Sequence, residues 1–143
     1  DTCMNIRIKK LSANIPDLQH AKSGDAGFDL YARESVVIPA GKQRIVPTGI
    51  AIEIPEGYVG LVWDKSGLAI KNGLKTLGGV IDSGYRGEVM IGIANLSEHD
   101  YTFEAGHKVA QMIIQKFEIV TFEQVDELSD TERAHTGFGS TGK

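Results

Sequence analysis

Apolar and polar residues alternate with a dominant period of two along this chain. Ile6 and Ile8 alternate with Arg7 and Lys9, and Ile50, Ile52 and Ile54 alternate with Ala51 and Glu53. Val109, Ile113 and Phe117 fall on one face of the run from Lys108 to Phe117. Successive side chains of a strand point to opposite faces, so these runs read as half-buried strands. Turn signals separate them: Pro39-Ala40-Gly41, Pro55-Glu56-Gly57, Ser83-Gly84 and Ala105-Gly106. Many short strands spaced in this way predict an all-β sandwich, barrel or jelly roll. One segment departs from the pattern. Ser66 to Gly73 reads as a short helix, with Ser66 as N-cap and Gly73 just past the C-terminus. A lone helix of this kind commonly plugs the end of a barrel.

The 143 residues suggest one core, and 41% apolar with 24% charged residues is an ordinary globular balance. A net charge of −4 leaves no global basic field, so stable nucleic-acid binding is not expected. A polyanionic ligand would need a few local cations, backbone N–H groups or a metal ion. Cys3 is the only cysteine, which excludes an intrachain disulfide, and no Cys/His cluster has zinc spacing. No apolar run approaches the roughly 20 residues that span a bilayer, and the N-terminus shows no signal-peptide pattern. The expected setting is the cytoplasm, or an equivalent reducing compartment such as the nucleus.

Asp82 stands at a predicted strand end beside Ser83-Gly84. A carboxylate there can hold and deprotonate a water molecule, although turns favour Asp for their own reasons. Tyr85, three residues on, can lie flat against a sugar or be an ordinary strand tyrosine. Ser66 and Gly67 would start the helix, where free N–H groups suit an anion, and Lys65 adds a positive charge. Gln111 shares a strand face with Val109 and Ile113 and should be hydrogen-bonded, as a structural group or a ligand contact. Beyond an acidic stretch from Asp126 to Glu132, residues 133–143 have little to bury. They read either as a disordered tail or as an arm that folds over a ligand.

Five segments, in order, resemble the trimeric dUTPase family. They are Ala26-Gly27-Phe28-Asp29-Leu30-Tyr31-Ala32, Lys65-Ser66-Gly67-Leu68-Ala69, the run from Gly79 to Val89, Gly106-His107-Lys108-Val109-Ala110-Gln111-Met112, and Arg133 to Gly142. The third and fifth are the most specific, and together the five span nearly the whole chain. The resemblance implies a distorted jelly-roll β-barrel over residues 1–132 with one short helix, and a mobile C-terminal arm over 133–143 that closes a neighbouring active site. It implies a homotrimer that hydrolyses dUTP to dUMP and pyrophosphate. Such an activity limits uracil in DNA and supplies dUMP for dTTP synthesis. Asp82 would activate the water that attacks the α-phosphorus, and Tyr85 would exclude a 2′-hydroxyl. Gly79, Val80, Ile81 and Met90 would line a uracil slot, with Thr76 where relatives often carry an amide. Gly78-Gly79 would let backbone approach the base closely. Lys65, Ser66, Gly67 and Gln111 would face the phosphates. From the arm, Arg133 would pair with the terminal phosphate, Phe138 would stack on uracil, and Gly139, Ser140 and Thr141 would donate to phosphates. Mg2+ would ride on the triphosphate, and Asp29 is read as structural, or as touching metal-bound water, rather than as a direct ligand.

Three further positions depart from the family pattern. Relatives usually carry Arg at Lys65, and a lysine cannot make the bidentate fork. Asp64 places an acid next to the expected phosphates, so it either points away or engages a cation. Thr136 stands where Gly is common. A dCTP deaminase, which shares the fold, and a non-catalytic nucleotide- or protein-binding jelly roll are the rival readings. The run from Val80 to Gly87 and the Phe-Gly-Ser-Thr-Gly tail favour the diphosphatase.

Overall fold

The computed structural model describes residues 3–139 and 141–142. Ten strands and one helix follow in order: β1 (Arg7–Lys10), β2 (Phe28–Tyr31), β3 (Val36–Ile38), β4 (Gln43–Glu53), β5 (Tyr58–Trp63), α1 (Ser66–Asn72), β6 (Leu74–Leu77), β7 (Val80–Ile81), β8 (Glu88–Asn95), β9 (Tyr101–Phe103) and β10 (Lys108–Lys116). They form two antiparallel four-stranded sheets, ordered β1-β4-β8-β6 and β2-β10-β5-β7, and a two-stranded β3-β9 ribbon. This is the expected jelly roll. The Pro- and Gly-marked turns fall between strands, with Lys42 N–H on Pro39 O, Tyr58 N–H on Pro55 O and His107 N–H on Glu104 O.

Both large sheets and the ribbon feed one core. Leu30 and Met112 come from one sheet, Ile50, Val89 and Ile91 from the other, and Ile38 and Phe103 from the ribbon. Each is almost completely buried. Truncating one of the larger of these to Ala costs about 2–5 kcal/mol.

Two strands depart from simple alternation. β10 lies between β2 and β5, so both its edges are paired, and a register shift against β2 between Lys108 and Ala110 breaks its alternation. Ala110 and Met112 are its most deeply buried residues together with Val109, while Phe117 lies past the strand end and is exposed. β1 is an edge strand in which Ile8 remains partly exposed.

The helix forms where expected but its start is shifted. Lys65, with φ −83° and ψ 124°, occupies the N-cap, and Ser66 is the first helical residue. No side chain caps this end. Gly73 ends the helix in the left-handed region at φ 67°, where a Cβ would be strained. The last strand closes at Lys116, and residues 117–132, grouped with the barrel by the sequence, contain neither helix nor strand. No helix among the described residues is long and apolar enough to cross a membrane.

Candidate active site

The predicted site residues fall into three sets. The first lies on the excursion between β6 and β8. These strands pair from Leu74↔Asn95 to Leu77↔Gly92 and form the hairpin stem. Past Gly78, the chain leaves that sheet, and β7 joins the other one through Gly60↔Ile81 and Leu61↔Val80. Asp82 and Tyr85 therefore sit on a crossing between sheets, not at the tip of a regular two-stranded hairpin. The crossing needs Gly79. Its φ is +122°, and a Cβ there would lie 2.8 Å from Val62 O, whose residue also donates its N–H to Gly79 O at 2.8 Å.

β7 is an edge strand, so one row of its backbone groups has no ladder partner. Val80 (68% exposed) and Met90 (49%) turn outward near it, and Asp82 is also exposed. The turn carrying Asp82 is braced. Tyr85 N–H donates to Asp82 O at 3.1 Å, and Arg86 Nη1 donates to Ser83 O at 2.6 Å. The Tyr85 hydroxyl donates to Glu88 O at 2.7 Å, and its ring lies so close over Gly87 that a Cβ there would come within 2.7 Å of Oη. The Glu88 carboxylate is in turn held by Arg33 at 3.0 and 3.1 Å and by Gly49 N–H at 2.8 Å. Sequence reasoning missed Arg33 and Glu88. Both stood next to or inside the motif segments, but nothing in the sequence pairs residues 55 positions apart.

The second set gathers where β2, β10, β5 and α1 meet. Gln111 lies in register with Asp29 on one side and Trp63 on the other, so the three form one cross-strand row. Asp29 is 5% exposed and accepts from Lys65 Nζ at 2.6 Å, with Lys108 Nζ 3.4 Å from its other oxygen. Lys65 is thus an ion-pair partner of Asp29 in this structure. Lys108, read from the sequence only as a turn residue, belongs to the same cluster. Gln111 Nε2 donates to Asp64 O at 2.9 Å.

The Asp64 side chain engages a cation, one of the two options the sequence left open. Its Oδ2 accepts from Lys75 Nζ at 2.8 Å and its Oδ1 from Thr76 N–H at 2.7 Å. Burial pushes the Asp64 carboxyl up, but Lys75 and the Thr76 groups outweigh it and hold the carboxyl below its ordinary range. Thr76 is buried and its N–H faces Asp64. Ser66 and Gly67 are exposed at the first turn of α1.

The third set is the arm. Among the described residues, its hydrogen bonds are local: Arg133 Nε to Thr136 O at 2.8 Å, Thr136 Oγ1 to Arg133 O at 2.7 Å, Gly142 N–H to Gly139 O at 2.9 Å, and Ala134 N–H to Thr131 Oγ1, just upstream, at 3.0 Å. Phe138, at 114% exposure, meets nothing of its own chain, and its φ of 46° is left-handed. Thr141 is exposed, and Ser140 lies outside the described residues.

For a metal, the donor set is specific in what it fits. Among the described residues no three His, Cys, Asp or Glu side chains gather as a cage. Asp29, a buried carboxylate, has both oxygens facing ammonium groups. Such a set suits an ion carried by phosphate oxygens and its own waters, as magnesium prefers.

Against known proteins, the dUTPase family model matches residues 13–142. The deoxyuridine 5'-triphosphate nucleotidohydrolase of Corynebacterium glutamicum is 47% identical over 141 residues, covering 96% of this chain and 95% of that protein. The enzyme of the same name from Clostridioides difficile is 46% identical over 142 residues, covering 96% and 98%. Among solved structures, a variant of the Staphylococcus bacteriophage 80alpha dUTPase with dUpNHpp superposes with a TM-score of 0.91 at 30% identity, covering 97% of this chain and 99% of that one. A variant dUTPase from phage phi11 of S. aureus, described with a structural Mg(II) ion, matches with a TM-score of 0.80 at 28% identity, covering 87% and 98%.

Proposed function

The chain belongs to the dUTPase family and is a dUTP diphosphatase, and we propose that it works through a water molecule activated by Asp82. The carboxylate takes a proton as the water oxygen attacks the α-phosphorus. The bond to the β-phosphate oxygen breaks, leaving dUMP and pyrophosphate. The observation that carries this reading is the placement of Asp82. It is exposed on a turn braced by Tyr85 and Arg86, directly after an edge strand with a free backbone row.

That free row is what a uracil ring needs. Uracil presents one N3–H donor between two carbonyl acceptors, and the outward backbone groups of this edge, centred on Val80 between Gly79 and Ile81, can answer with C=O and N–H; Gly79 O itself already accepts from Val62 N–H. Cytosine reverses the pattern, and each buried mismatch costs about 1–3 kcal/mol. Met90 closes the slot from β8, and Thr76 supports it from β6. The Tyr85 ring, locked through its hydroxyl to Glu88 O, excludes a 2′-hydroxyl by rigid packing. Apolar surroundings alone reject an added hydroxyl by only about 100-fold.

Lys65, Ser66, Gly67 and Gln111 receive the phosphates. An ammonium has three donors, so Lys65 can keep Asp29 and still donate to a phosphate oxygen. Mg2+ bound to the triphosphate offsets charge on the phosphate oxygens, with Asp29 in reach through water at most. The arm supplies Arg133 to the terminal phosphate, Phe138 over the base, and Gly139, Ser140 and Thr141 as donors, excluding water on closure. The active assembly is a homotrimer in which each arm serves a neighbour. Two facts support this: Phe138 is free of its own subunit, and Ile119, Phe122 and Leu128 stand exposed on the segment leading to it. The setting is the cytoplasm or another reducing compartment. There, dUTP removal limits uracil in DNA and provides dUMP for dTTP synthesis.

Asp82→Asn tests the mechanism. Pyrophosphate release should fall by about 10²–10⁴-fold, while affinity for the non-hydrolysable dUpNHpp holds. Normal turnover in that variant would remove Asp82 from the chemistry.

A further inference from the structure

Asp64, at the entry to α1, has atoms bonded to both β10 and β6. It follows the last residue of β5 and precedes Lys65 and Ser66 at the start of α1. Its carbonyl oxygen accepts from Gln111 Nε2 on β10 at 2.9 Å. Its carboxylate accepts Thr76 N–H at 2.7 Å and Lys75 Nζ at 2.8 Å, both on β6. β6 is the outer strand of the β1-β4-β8-β6 sheet, whereas β5 and β10 belong to the other sheet. The Asp64 carboxylate thus stands in for a missing ladder partner of β6 and ties the two sheets together at this corner. No side chain caps the helix start, so residues 65–67 are held by the bonds of the adjoining Asp64 and by the Lys65 ion pair with Asp29.

We propose that Asp64 is a positioning residue for the β- and γ-phosphates of the substrate. It acts by fixing the Lys65-Ser66-Gly67 turn and the Gln111 carboxamide, and it does not touch the nucleotide itself. This rests on the assignment of those residues to the phosphates. A carboxylate beside a triphosphate is tolerable here because Lys75 and Thr76 occupy its oxygens. In Asp64→Ala both acceptors vanish, Thr76 N–H is left unpaired, and the turn is released. Asp64→Asn keeps one amide oxygen for Thr76 and loses only the charge pair with Lys75.

The test compares dUpNHpp with dUMP, which lacks the outer phosphates, by calorimetry on the full chain with Mg2+. Asp64→Ala should weaken dUpNHpp by about tenfold or more, the effect of one lost buried hydrogen bond, and leave dUMP within about twofold. Asp64→Asn should recover most of that loss. Should Asp64→Ala not fold, Asp64→Asn carries the test alone: a loss of about threefold confined to dUpNHpp. Equal losses for the two ligands, or none for either, would overturn the role. Failure of the unsubstituted protein to turn over dUTP would instead defeat the functional reading on which it rests.

Discussion

Replacing Gly79 by Ala tests whether the crossing from β6 to β7 needs a residue without a side chain. Two costs combine. At φ +122° an L-residue sits in a region almost reserved for glycine, at about 1–3 kcal/mol. The added methyl would meet Val62 O at 2.8 Å and Val62 Cβ at 3.2 Å. A backbone carbonyl in a paired strand cannot swing away as a side chain can, so relief requires β5 and β7 to part, at about 1–3 kcal/mol more. The sum, about 2–6 kcal/mol, should lower the Tm by roughly 10 °C for a domain of this size. Gly78→Ala is the matched control. Its φ is +72° but nothing lies within 4 Å of a Cβ there, so only the conformational term of about 1–2 kcal/mol applies. Trp63, the only tryptophan, lies on β5 one residue from Val62, so its fluorescence reports melting beside the perturbed contact. Equal melting of the two variants, or an unshifted Gly79→Ala, would refute the claim that close backbone approach fixes this crossing.

The remaining expectations concern the sugar, the arm and pH. Tyr85→Ala should admit UTP, whereas Tyr85→Phe, which loses only the bond to Glu88 O, should retain most of the preference for the deoxy sugar; initial rates on UTP and dUTP decide, and unchanged selectivity in Tyr85→Ala would refute the assignment. Truncation before Arg133 should leave the barrel folded by circular dichroism yet nearly inactive, because among the described residues the hydrogen bonds of the arm reach no farther than Thr131, well past the last strand. The Asp64 carboxyl lies below its ordinary value of 3.8, so its ion pair stabilises the fold fully above that value and is lost as pH falls through the lower folded one. The stability difference between the parent protein and Asp64→Asn in urea should therefore hold from pH 7 to about pH 5 and shrink below about pH 4.

The alternation at Ile50, Ile52 and Ile54 was readable because the first two line one face of β4, Ile54 follows just past its end, and all three are buried. β10 was less readable, since the register shift between Lys108 and Ala110 puts the adjacent Val109 and Ala110 both in the core and interrupts the alternation. The motif segments pointed to Asp82, Tyr85 and Gln111, but not to what holds them. Lys65 with Asp29 and Arg33 with Glu88 are separated by 36 and 55 positions. Local pattern carries no information about pairs so distant, because the fold alone brings them together. Ser66 looked like a cap by residue type, yet the chain enters α1 directly from β5 and Lys65 takes that place.

The unpartnered edge of β7 carries a consequence for how selectivity can change. If the base is read by main-chain groups, the reader is shared by every residue type but proline, which lacks the N–H. Exchanging Val80 or Ile81 for another strand-compatible residue leaves the donors and acceptors where they were. Discrimination of this sort is insulated from most single substitutions. It drifts only when the path of the chain itself moves, through an insertion, a deletion or the loss of a glycine.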